Sequence, residues 1–165
     1  MKILKAVLHW LDENIENSLM FVTYAACAII IFEEVIRRFA LRQQAPWSTT
    51  IPIYLFLWFS WLGASYNTKR RSHLCFTEIR TRLSYNWQFV CLMLDAALWI
   101  FLAAIVIRYA WDQVALQYNI GAIVAGTDDV PLWPAYFAIP AAWGLLVFRV
   151  IQNVITDIRK FIRKE

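Results

Sequence analysis

Glycine is scarce in this chain, with four in 165 residues, and they form no glycine-rich phosphate loop. H-E-x-x-H and G-x-S-x-G are missing, and the serines join no Ser/His/Asp set. The three cysteines, Cys27, Cys75 and Cys91, make no CxxC pair, so neither a redox motif nor a zinc knuckle is signalled. Cys27 and Cys91 lie in apolar runs and fit as small hydrophobes. His9 and His73 fall outside those runs, which argues against a haem-binding bundle. No repeat links the two halves, and no matching pair of Gly/Pro-broken helices is present to build a transporter's central site. No catalytic residue, metal ligand or cofactor is therefore assigned.

Charge is thin as well, at 17% of residues, where soluble domains carry roughly 25%. What fills the chain is apolar: 61% hydrophobic and 16% aromatic residues, with a mean hydropathy of +0.50. The expectation is an all-α integral membrane protein, one domain over residues 1–165, with four transmembrane helices and a short N-terminal interfacial helix. The net charge of +4 reads as orientation and contact with anionic phospholipid, not as nucleic-acid binding.

The stretch from Pro46 to His73 organises the rest. A Pro-Trp turn opens it, an aromatic-rich span at about 50–67 follows, and Lys69, Arg70 and Arg71 stop it. Trp47 is placed as an interface anchor, Trp58 belongs to the span's aromatic belt, and Gly63, Ala64 and Ser65 form a small patch that admits a close helix. Pro52 lies in the first turn, where its missing N–H costs little.

Before this stretch, Ile3, Val7, Leu11 and Ile15 recur every four residues, predicting an amphipathic helix at about 1–16 that lies in the interface. The polar DENIENS run that follows speaks against a cleaved signal peptide. A first span at about 18–41 ends in two i,i+4 acid–base pairs, Glu33 with Arg37 and Glu34 with Arg38. These are either ion pairs at the water boundary or groups facing a partner subunit or lipid headgroups.

After it, residues 74–87 are polar and basic and suit a short interfacial helix. A third span at about 88–109 contains Asp95, a carboxylate that must face protein or water or be protonated. Residues 111–130 read as a loop with an apolar piece, IGAIVAG. A fourth span at about 131–153 starts at Pro131 and Pro134 and should kink at Pro140. With four spans, both termini and the 68–87 connection share the more basic side, which is the cytoplasmic one.

The segment EVIRRFALRQQAPWSTTIPIYLFLWFSWLGASYNTKRRSHL resembles the small membrane subunit of tripartite ATP-independent periplasmic (TRAP) transporters, the DctQ-like family. The resemblance covers nearly the whole chain. It rests on Arg37, Arg38 and Phe39 at the end of span one, then Pro46 and Trp47, then the W-x-x-x-L-G-A of Trp58, Leu62, Gly63 and Ala64. Arg70, Arg71 and His73 follow, and later Pro131, Trp133, Pro140 and Arg149. The chain departs from the family at Thr49 and Thr50, where a Glu-Glu pair is common, and at Thr77, where an acid is common. Glu33, Glu34 or Glu78 are left to take their place.

The resemblance implies a rigid subunit in the bacterial inner membrane, not an enzyme. It would be bound to a large elevator subunit and visited by a periplasmic solute-binding protein, in sodium-driven uptake of a C4-dicarboxylate, another carboxylate or a sialic acid. The ending FRVIQN is similar to sialic acid systems. The alternatives are an autonomous small channel or transporter, or an enzyme or anchor subunit of another membrane complex.

Overall fold

The computed structural model describes residues 2–70 and 84–163, with side chains over 14–70 and 84–162. Four long helices dominate it: α1 over Lys2–Ile36, α2 over Thr50–Lys69, α3 over Tyr85–Asn119 and α4 over Trp133–Arg163. Among the described residues, three stretches are long and apolar enough to cross a membrane, Asn14–Leu41, Tyr85–Asn119 and Trp133–Ile162. With 20 residues α2 extends about 30 Å, the thickness of a hydrocarbon core. It is less apolar than the other three, because Tyr54, Trp58, Ser60, Trp61, Ser65 and Tyr66 interrupt it.

The helices form a row rather than a closed bundle. α1 packs on α2, α2 on α4, and α4 on α3, and among the described residues no packing joins α1 to α3. The row is centred on Trp143, whose ring lies 5.8 Å from Trp61 of α2 and 6.1 Å from Trp99 of α3. Ala103, Ala138 and Ala142 are fully buried, and small side chains of this kind let helix backbones approach where no water drives association. Aromatic contacts run the length of α3 and α4, from Phe89 with Phe161 at one end to Tyr118 with Trp133 at the other.

Several boundaries differ from the sequence expectation. The N-terminal segment and the first span form one continuous helix, α1, with no proline or glycine between Lys2 and Ile36 to break it. It ends in a π-helical turn over Arg37–Leu41 and stops at Arg42, in the left-handed conformation with φ 52°.

Residues 111–119, expected as loop, continue α3 to Asn119. Trp111 packs edge-on against Phe137 and holds this extension on α4. The helix ends at Gly121, φ 61°, where Ala122 N–H reaches Gln117 O at 3.1 Å and Gly121 N–H reaches Tyr118 O at 3.2 Å, a Schellman closure. α4 likewise runs past Asn153 to Arg163, and Pro140 lies within it. The basic stretch expected as a second interfacial helix lies largely outside the described residues, apart from Tyr85–Trp87, which open α3.

Two connections meet at one end of the row. The 120–132 loop is a small hairpin with one antiparallel bridge, Ile123 to Pro131. At its tip Gly126, φ 86°, sits so close to the 46–48 turn that a Cβ there would lie 2.5 Å from the Pro46 carbonyl carbon. Only glycine allows that contact and that backbone together.

Candidate functional site

A long polar side chain in an apolar helix needs a partner, and Arg149 of the α4 run LLVFRVIQ finds one from the far end of the chain. Its Nε donates to Glu16 Oε1 at 2.6 Å and its NH2 donates to Glu16 Oε2 at 3.0 Å. Both residues are buried, at 1% and 0% exposure. Ser65 of α2 donates to the same Glu16 Oε1 at 3.3 Å, and Lys69 Nζ lies 3.8 Å from Oε2. Arg149 NH1 also donates to Gln152 Oε1 at 2.8 Å. One turn on, Asn153 Nδ2 donates to the Thr68 carbonyl at 3.0 Å.

One carboxylate thus ties α1, α2 and α4 together in a satisfied polar knot. Such a pair adds modestly to net stability but specifies register, because breaking it strands a buried charge. Gly63 of α2 faces α1 beside it, where a Cβ would make an ordinary contact 3.7 Å from the Met20 sulfur. The repeat at 1–16 leaves Glu16 off its apolar stripe and does not single it out as the partner of Arg149. The signal was present: an arginine in the middle of an apolar run demands an acid somewhere.

The sequence-derived candidates are scattered over the molecule. Glu33 accepts from Arg37 at 2.8 Å in an exposed pair, and the Arg37 guanidinium sits 6.0 Å from the Trp47 ring centre. Glu34 is different: it is buried, Arg38 stays 4.0 Å away, and neither carboxylate oxygen has a hydrogen bond among the described residues. It lines an apolar cleft with Ile31, Val35, Phe39 and Pro52. Trp58 Nε1 donates to the Pro134 carbonyl at 3.2 Å and pins α2 to the start of α4. Arg70 is exposed over the Tyr66 ring, while Arg71 and His73 lie outside the described residues.

Asp95 is exposed within the chain and forms no hydrogen bond or ion pair with a described residue. It shares its face of α3 with Leu98 and Leu102, which are exposed too. It points out of the row. Arg108, further along α3, pairs with Asp112 instead. Among the described residues no group of three His, Cys, Asp or Glu side chains could hold a metal ion. Cys27 and Cys91 are free thiols.

A buried polar knot beside large exposed apolar faces fits a helical membrane protein. Residues 27–160 match the family model of the DctQ component of tripartite ATP-independent periplasmic transporters. The isethionate TRAP transporter permease protein DctMQ of Oleidesulfovibrio alaskensis is 24% identical over 159 residues, which cover 93% of this chain and 25% of that protein. A Haemophilus influenzae protein, described by its name as a TRAP transporter small permease, is 24% identical over 162 residues, 98% of either chain. The chain spans a quarter of the length of the first relative and nearly all of the second.

Proposed function

The chain belongs to the DctQ component family of tripartite ATP-independent periplasmic transporters, transport components rather than enzymes, and on that premise we propose that it is the small permease subunit that braces a larger membrane subunit. The observation that carries this reading is the open face of α3. A carboxylate facing hydrocarbon costs about 2.5–3.5 kcal/mol on insertion scales, so Asp95 calls for a donor from another chain. The apolar faces beside it, including Leu94, Leu98 and Phe101, are exposed among the described residues. The length relation to the DctMQ relative supports the same reading, because there a segment similar to this chain is part of a much longer permease.

In this reading the row of helices is a rigid brace in the inner membrane. α2 crosses beside α1 and α4, and both termini are cytoplasmic, with Lys69 and Arg70 on that side. The large subunit carries the substrate path and moves as an elevator. A periplasmic binding protein delivers an organic anion of the C4-dicarboxylate or sialic acid type, and sodium drives uptake. The brace itself needs no polar pathway.

The test is a pull-down of the tagged chain from its native membrane in mild detergent. A roughly stoichiometric many-span partner is expected, and Asp95→Leu should reduce the amount recovered while leaving the chain folded. A chain that emerges alone or as a homo-oligomer in several gentle detergents overturns the subunit reading. Flux by the purified chain in liposomes would then favour an autonomous channel.

A further inference from the structure

We propose that the cleft between the end of α1 and the start of α2 binds a phosphoethanolamine headgroup, carried by an aminophospholipid of the surrounding bilayer. Glu34 carries the argument. It is 8% exposed, both its oxygens are buried, and neither has a hydrogen-bond partner among the described residues. A buried carboxylate without a partner is costly, so it calls for a charged donor. Arg38 does not supply one: its guanidinium stands 4.0 Å from Glu34 Oε1, beyond hydrogen-bond reach, and its side chain is exposed. The Thr49 hydroxyl makes no capping bond at the start of α2 and lines the same cleft, of about 340 Å³.

The two charges choose the ligand. A lone cation brought to Glu34, such as a lysine side chain, would come up against Arg38. A ligand with both an ammonium and a phosphate answers both groups. The Glu34 side chain turns into the cleft and accepts from the ammonium, while Arg38 and Thr49 donate to the phosphate. Position names the carrier. Glu34 stands about two turns before Leu41, which ends the apolar stretch of α1, so the cleft lies where hydrocarbon gives way to headgroups. Ile31, Val35 and Phe39 line the cleft and are exposed, as a bed for an acyl chain. Residues 2–13 of the same helix lie about 30 Å or more along its axis from Glu34. The inference stands on the cleft and does not rest on the subunit reading.

The experiment is a thermal-shift titration of the full-length chain, purified in mild detergent with any subunit that stays on it. The probes are phosphatidylethanolamine, phosphatidylcholine, phosphatidylglycerol and soluble phosphoethanolamine. Phosphatidylcholine keeps the phosphate, but its quaternary nitrogen has no N–H to donate. Phosphatidylethanolamine should raise the Tm at a concentration about tenfold lower than either other lipid, the order of one hydrogen bond to a charged group. Glu34→Gln should erase that preference and should not lower the lipid-free Tm, because it removes an unpaired buried charge and keeps the shape. Arg38 is exposed, so Arg38→Gln keeps the fold, and it should raise the half-saturating phosphatidylethanolamine about tenfold.

Equal half-saturation by the three lipids, or a phosphatidylethanolamine preference kept in Glu34→Gln, overturns the proposal. An unchanged titration of Arg38→Gln overturns the place given to the phosphate. A response to soluble phosphoethanolamine equal to that of the lipid overturns the lipid as carrier and leaves the headgroup site. Cross-linking of Glu34 to a lysine of another protein chain, with no lipid response, overturns the site altogether.

Discussion

Inner and outer helices of the row obey opposite rules. In α4, at the centre, 44% of the apolar window is buried within the chain, against 11% in α3 and 6% in α1. Yet α3 is the most apolar of the three, with a mean hydropathy of 2.6, and α4 is the least, at 1.5. In water this order would be reversed, because apolar surface would be driven inward. In lipid the tails accept apolar surface freely, and what must be hidden is polar. The inner helices therefore carry Arg149, Gln152, Asn153 and Ser65, and the outer ones show phenylalanine and leucine to the surroundings.

The largest test of that contrast is to unbalance the inner knot. Removing one partner of a buried pair costs about 3–5 kcal/mol. Glu16→Gln should cost more than Arg149→Leu, because it deprives both Arg149 and Lys69, whereas after Arg149→Leu the Glu16 carboxylate keeps Lys69 at 3.8 Å. Glu16→Leu combined with Arg149→Leu should regain much of the loss. Thermal unfolding in detergent checks the ranking, and a double variant no better than the singles would show that the knot does more than neutralise charge.

A medium effect separates two glycines. Gly126→Ala meets backbone and adopts a strained φ, so it should cost about 1–3 kcal/mol and raise proteolysis in the 120–132 loop. Gly144→Ala, in α4 with nothing within 4 Å of the new methyl, should be neutral or stabilising by up to about 1 kcal/mol. The smallest effect belongs to the exposed pair at the end of α1. Glu33→Gln should change stability by no more than about 1 kcal/mol, where a shift matching the Glu16 variant would erase the distinction between exposed and buried pairs.

Much of this was legible in the sequence because hydropathy is local. The apolar windows and the Pro-Trp turn each depend on a few neighbouring residues, and each takes part in the structure as read. Boundaries were less legible where contacts with another helix decide them. Trp111 and Tyr118 look like loop aromatics until α4 lies beside them, and only then do they hold α3 in register to Asn119.

The sequence by itself determined that this is a helical membrane chain of the DctQ type. Composition sets the solvent, and the order of spans and turns is a one-dimensional pattern. Only the tertiary structure decided which charges are spent and which face outward. Glu16 and Arg149 stand 133 residues apart, and nothing local marks them as partners. Asp95 sits in as apolar a run as Arg149 does, yet it is left exposed because no described helix packs on its side. The cost of a buried charge is settled by what the neighbouring helices bring within hydrogen-bond reach, and that is a property of packing.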